Sequence, residues 1–189
     1  MSLDPAPQTL QQRVAGAILE GAARTLAAQG PGASMNEVAT AAGVARATVY
    51  RYFPNRQALL DELGLLALRE AHDRISSARI DEVSTEEAIS RVVGALIDIG
   101  DAFVVLARER ARPAEFDRTL AGPLAKLFER GQASGDIRED VHVPWLVEAL
   151  LGIALSVLTS MPSRGREDTV AAITSLFLDG ARRRGPQLR

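Results

Sequence analysis

Two sets of helix breakers, Gly30-Pro31-Gly32 and Pro54, enclose a stretch with room for two short helices and one tight turn. Ser34-Met35-Asn36-Glu37 opens the stretch as a capping box: the serine hydroxyl accepts the backbone N–H three residues on, and the glutamate reaches back. The first short helix ends near Ala42, and Gly43 follows, where a left-handed turn is easiest without a side chain. A second short helix over about 46–53 runs up to Pro54. Two short helices joined by a turn containing glycine match a helix-turn-helix. The constraints are steric. Ala39 is small where the helices touch, and Val44 and Val49 turn inward to lock the second helix on the first. An ordinary helical hairpin also tolerates this spacing, so the residues on the outside must decide between them.

Those outward residues are Arg46, Ala47, Thr48, Tyr50 and Arg51. Arginine pairs bidentately with guanine, and threonine or alanine can touch a thymine methyl. Tyr50 and Tyr52 offer rigid hydroxyls for phosphates, and core packing is the lesser, alternative use for Tyr52. Asn55 is a good N-cap for the next helix. With Arg56 and the free N–H groups of that helix start, it makes an anion site suited to phosphate. Net charge sharpens the contrast. The whole chain carries −2, but residues 1–60 hold five arginines (Arg13, Arg24, Arg46, Arg51, Arg56) against Asp4, Glu20 and Glu37. That part is +2, which leaves −4 for the remainder. A short basic segment on an acidic body is the footprint of a small DNA-reading element, although a solvated arginine face has the same charge.

The rest of the chain reads as helices joined by short turns, without strand-like alternation or internal repeats. A first helix is expected over 9–28, with Leu10, Val14, Ile18, Gly21, Ala22 and Leu26 on one stripe. The helix capped by Asn55 runs to about Arg79. Further helices are expected over 85–110, over 115–133 with a bend or split at Gly122-Pro123, over 144–161 and over 166–184. The expected architecture is all-α: a three-helix DNA-binding domain over 9–55, then a larger helical domain over 56–184, linked by the helix 56–79. At 189 residues with 47 % apolar composition, the chain can bury a real core.

Residues 34–60 resemble the N-terminal signature of the tetracycline-repressor (TetR) family. The Ala42-Gly43-Val44 turn, the Tyr50-Arg51-Tyr52-Phe53 run and the following Asn55-Arg56 with Leu59 carry most of the likeness. The resemblance implies an all-helical homodimer whose small N-terminal domains read two half-sites, while the large C-terminal domains dimerise and bind a small effector. By position it implies that Ser34 and Thr48 contact phosphates or bases. It places Arg46, Tyr50 and Arg51 in the major groove, and Tyr52 and Arg56 on the backbone. Ala45 stands where the family usually has a capping serine, Ala47 replaces a frequent glycine, and Arg56 replaces a usual lysine.

Function classes narrow in parallel. With no cysteine and two histidines, His72 and His142, the chain has no evident metal set, and no metal or cofactor is expected. No glycine-rich phosphate loop and no Gly-x-Ser-x-Gly elbow appears. Asp98 and Asp101 fall on the polar side of their helix and read as solvated. No uncharged apolar run reaches the roughly 18 residues of a membrane span, and the expected compartment is the cytoplasm. The helix 144–161 is apolar around most of its circumference, and Ala149, Gly152 and Ser156 line its remaining side with Trp145. The final helix has Val170, Ile173, Phe177 and Ala181 on one stripe. These two helices are the expected dimer interface, which sets two recognition helices about 34–36 Å apart. Leu96, Phe103, Leu106, Phe116, Leu120, Phe128 and Trp145 are the candidate effector pocket, for an apolar ligand with one or two hydrogen-bonding groups. The expected function is a DNA-binding transcriptional regulator, a repressor released from a palindromic operator by that effector. The alternative is a helical-bundle ligand-binding protein or enzyme without DNA binding.

Overall fold

A computed structural model describes residues 9–108, 114–160 and 165–183 of the chain. Helix α1 spans Leu10–Gln29, α2 Met35–Ala41, α3 Arg46–Tyr52, α4 Arg56–Ser77, α5 Thr85–Ile99 and α6 Asp101–Arg108. Then come a short α7 (Ala114–Phe116), a π-helical turn (Asp117–Ala121), α8 (Gly122–Ala133), α9 (Val143–Ser160) and α10 (Arg166–Ala181). Among the described residues there is no strand, only one isolated antiparallel bridge between Ile137 and Arg182.

Two apolar clusters organise these helices. The first joins α1, α2 and α3 through Ile18, Ala22, Leu26, Val38, Ala39 and Val49. The first half of α4 belongs to it through Leu59, Leu60 and Leu63, and α6 adds Val105. The second cluster takes the other half of α4 (Ala67, Leu68, Ala71, Ile75) and fills the space between α5, α8, α9 and α10. One helix therefore packs into both cores. Its start is set by Asn55, whose side chain accepts the N–H of Ala58 at 2.8 Å. Its end precedes Arg79, which takes a positive φ of 49°.

Three expectations are corrected. The helix expected over 85–110 is two helices. Gly100 turns at φ 54°, a left-handed conformation that glycine adopts without a Cβ clash, and the chain restarts as α6. Of the bend or split expected at Gly122-Pro123, the split is overturned, since the helical run continues through a π turn. The Gly122 N–H bonds the carbonyl five residues back at Asp117, just before the residue that has no N–H to give. The stripe Val170, Ile173, Phe177, Ala181 was assigned to the dimer face. It is the inner face of α10: Ile173, Phe177 and Ala181 are buried within the chain, and Phe177 packs on Phe128 with ring centroids 5.4 Å apart. The outward side of α10 carries Leu176, 64 % exposed. Beside it in sequence terms, α9 buries Leu146, Val147, Leu150, Leu151 and Ala154 and leaves Ala149, Gly152, Ser156 and a 72 %-exposed Trp145 outside. Among the described helices α9 is long and apolar enough to cross a membrane by length and composition, although Glu148 interrupts its uncharged run and 28 % of it is buried in the chain.

Asp98 does more than face solvent. It accepts Nε and Nη2 of Arg166 at 2.6 and 2.8 Å and Nη1 of Arg74 at 3.4 Å, tying α5 to α10 and to α4. The hydrogen-bonded Arg166 guanidinium holds its carboxyl below the usual carboxylate range. The expected helix ends at Arg110, Met161 and Arg184 lie outside the described residues.

Candidate nucleic-acid interface

The segment 33–56 is built from the caps inward. Ser34 Oγ accepts the N–H of Glu37 at 3.3 Å, and the Ser34 N–H donates to Glu37 Oε2 at 2.8 Å. The Ser34 hydroxyl also donates to the same carboxylate at 2.7 Å. These two contacts, side chain first, hold the Glu37 carboxyl below the usual carboxylate range. The Ser34 hydroxyl, expected to meet DNA, is thus already engaged in starting α2.

The end of α2 is a Schellman motif. Gly43 N–H donates to the Thr40 carbonyl at 3.1 Å and Val44 N–H to the Ala39 carbonyl at 3.0 Å, with Gly43 at φ 67°. A third support comes from α1, where Arg24 Nη2 donates to the Ala41 carbonyl at 3.0 Å. Sequence reasoning did not find Arg24, since its partner is 17 residues away and no local pattern links them. The orphan carbonyls at this helix end are therefore met by two different elements.

Helix α3 starts at Ala45, which has extended N-cap geometry (φ −68°, ψ 146°) but no side-chain cap. Val49 is fully buried and Phe53 nearly so, which clamps α3 against α2 and α1. Arg46, Ala47, Tyr50 and Arg51 are all exposed, while Thr48 and Tyr52 are half-buried. Tyr52 is half-buried and packs against the first core, the second of the two uses considered for it. The exposed side chains are not loose. The Arg46 guanidinium lies 5.3 Å from the Tyr50 ring centroid and donates to its hydroxyl at 3.5 Å; Arg51 lies 5.3 Å from the Tyr52 ring. Each such pair contributes about 0.5–1 kcal/mol at an exposed site, enough to bias the rotamer without fixing it. Asn55 is exposed and spends its side-chain oxygen on the α4 cap, and Arg56 is half-buried at the first position of α4. Three cationic side chains, two tyrosines and a helix start thus share one short stretch without an acid.

These observations fit the comparisons with known proteins. Residues 18–63 match the sequence profile of bacterial regulatory proteins of the tetR family. Residues 18–63 thus carry the N-terminal sequence signature of the TetR family. The matched residues run from Ile18 in α1 to Leu63 in α4 and hold the buried residues of the first apolar cluster apart from Val105. A TetR-type relative, the HTH-type transcriptional repressor LfrR of Mycolicibacterium smegmatis, is 39 % identical over 94 residues. That match spans 48 % of this chain and 47 % of LfrR, about half of each. The structure of LfrR in complex with proflavine, from Mycobacterium smegmatis, superposes with a TM-score of 0.72 at 26 % identity, covering 91 % of this chain and 98 % of that one. A tetR-family regulatory protein from Rhodococcus RHA1 gives a TM-score of 0.73 at 20 % identity, covering 92 % and 99 %. AibR in complex with isovaleryl coenzyme A and operator DNA gives 0.69 at 20 %, covering 86 % and 97 %. At those identities the last two speak for the TetR fold alone.

The expected effector residues separate in the structure. Leu96, Leu120 and Phe128 are fully buried in the second core. Phe103 and Phe116 line a small cleft of about 120 Å³ with Ala107, Glu148, Leu151 and Gly152. Trp145 stands exposed on the outer side of α9 and takes no part in that cleft. The Leu106 side chain lies outside the described residues. The cleft lies between α6, Phe116 and α9.

Proposed function

We propose that the protein is a DNA-binding transcriptional regulator, a homodimeric repressor released from its operator by a small, largely apolar effector. The observation that carries the reading is the exposed Arg46–Tyr50–Arg51 surface on the second helix of a helix-turn-helix. In this reading α3 enters the major groove, with Arg46 and Arg51 on base edges and Ala47 and Thr48 near thymine methyls. Tyr50, Tyr52, Asn55 and Arg56 hold the phosphate backbone, and Ser34 acts mainly by fixing the start of α2. The domain boundary is taken at 55/56, with α4 shared between the two cores. The outward faces of α9 and α10, carrying Trp145 and Leu176, pair with a second copy. The effector site is the cleft at Phe103 and Phe116. Its volume of about 120 Å³ is below the several hundred of an ordinary ligand pocket, so α6 and α9 must part to admit a ligand. The relative LfrR, solved with proflavine, supports a ligand-responsive regulator. We read the chain as a cytoplasmic protein without enzymatic activity.

The test is binding to sequences selected from random DNA, compared with unselected DNA. Arg51→Ala is expected to cost about 1–3 kcal/mol on the selected sequence and to relax preference at one base step. Arg56→Ala should weaken both kinds of DNA alike and lower the salt dependence by about one counterion. Equal losses for both variants on both DNAs would contradict this division of roles. A wild-type chain that retains no DNA would instead point to a helical ligand-binding protein or enzyme.

A further inference from the structure

The end of α4 remote from the recognition helix forms one wall of a second cleft, of about 550 Å³. Three guanidinium groups from three helices meet in it: Arg74 from α4, Arg91 from α5 and Arg166 from α10. Asp98 is the one carboxylate in its lining. The lining charges, three positive and one negative, therefore sum to +2.

The arginines are held in place by part of their donors, and the rest stay uncommitted. A guanidinium carries five N–H donors in a planar fork. Arg166 gives Nε and Nη2 to Asp98. Arg91 gives Nε to Glu87 at 2.8 Å and Nη1 to the Ala78 carbonyl at 2.6 Å. Arg74 gives Nη1 to Asp98. Among the described residues nothing accepts from Arg166 Nη1, Arg91 Nη2 or Arg74 Nη2, and the hydroxyls of Ser77 and Ser90 in the same lining make no hydrogen bond. The floor at Gly94 is bare, and the tip of Arg166 lies close over it, with Nη2 3.0 Å from where a Cβ would stand. Glu87 and Glu167 stand beside Arg91 and Arg166 and offset part of the field, so the tethered donors carry the argument more than the net charge.

We propose that this cleft binds a small, multiply charged anion bearing phosphate or paired carboxylate groups. Guanidinium forks match such oxygens two at a time, and arginines already oriented by Asp98, Glu87 and a backbone carbonyl lose little freedom on binding. The volume suits a compact metabolite-sized anion. The site shares no lining residue with the Phe103–Phe116 cleft and does not depend on the DNA-binding reading.

Calorimetric titration of the full chain with pyrophosphate and, separately, with citrate tests it, in a low-salt buffer free of other polyvalent anions. Saturable binding of at least one probe is expected, one per chain, and the stronger probe identifies the phosphate or the carboxylate arm. Arg91→Ala should weaken that binding about tenfold or more. Ser90→Glu should do the same by placing a carboxylate among the donors while leaving every arginine tether in place, so it serves if Arg91→Ala proves too unstable to measure. Absence of binding by both probes, or binding that neither variant changes, overturns the site.

Discussion

A single side-chain position on α1 sets how closely the helix-turn-helix can approach it. A Cβ at Gly21 would stand 2.8 Å from the backbone nitrogen of Ala42 and 3.0 Å from its Cα. That backbone is pinned by the Schellman bonds at the end of α2 and cannot easily give. Gly16 lies on the same helix with nothing within 4 Å of its would-be Cβ. Alanine gains up to about 1 kcal/mol over glycine in a helix interior, and forcing an extra carbon into a packed contact costs about 1–3 kcal/mol. The two positions should therefore respond with opposite signs. Gly16→Ala is expected to raise the denaturant midpoint by the equivalent of about 0.5–1 kcal/mol. Gly21→Ala is expected to lower it, by about 1–2 kcal/mol net. Chemical unfolding followed by circular dichroism measures both; a stabilised Gly21→Ala would mean that α1 and α2 are not in this contact.

At the scale of one element, α3 is the helix of the segment 33–56 that starts without a side-chain cap. Its two neighbours have side-chain caps at Ser34 and Asn55, but Ala45 offers none. The backbone at Ala45 already has the extended geometry of an N-cap, and the Thr48 N–H donates to the Ala45 carbonyl at 2.8 Å. A serine hydroxyl there would add a side-chain acceptor for that helix start, shared with the carbonyl as in a bifurcated bond. Ala45→Ser is expected to stabilise the protein by about 1 kcal/mol, read as a rise in melting temperature. No change would show that the α3 start is already satisfied in another way. The absence of a cap at Ala45 was plain in the sequence, as were both caps around it. The break of the long helix at Gly100 was not, because the apolar period continues through Ile99 and Phe103 as it would in one helix.

For the whole molecule, the outer side of α9 and α10 is the largest departure from a self-contained monomer. Trp145 and Leu176 are two of the few large apolar side chains left in solvent, 72 % and 64 % exposed, and Ala149, Gly152 and Ser156 are small enough for a second helix pair to come near. Light scattering at micromolar protein is expected to give twice the chain mass of 20.2 kDa. Leu176→Arg should lower it toward a single chain, while Phe177→Leu, a change on the inner face, should cost stability and leave the mass at the dimer value. A wild-type mass of one chain removes the interface. Only the placement of α10 against α5 separates these two neighbouring residues, since the helix carries apolar side chains on more than one side.

Local chemistry is what the sequence determined by itself. Capping at Ser34 and Asn55, the left-handed turn at Gly43, the inward Val49 and the outward Arg46 and Arg51 all follow from interactions within a few residues. Such short-range rules leave little freedom, so the caps, the turn and the exposed face of α3 were legible in the sequence. Tertiary structure decided whatever depends on distant partners. It placed Arg24 on the end of α2, turned Ile173 and Phe177 inward, left Trp145 outside, and gathered Arg74, Arg91 and Arg166 around Asp98. The physical reason is common to all four. An apolar or charged side chain is satisfied equally well by many possible neighbours, so its sequence context does not say which one it will meet; the packing of whole helices makes that choice.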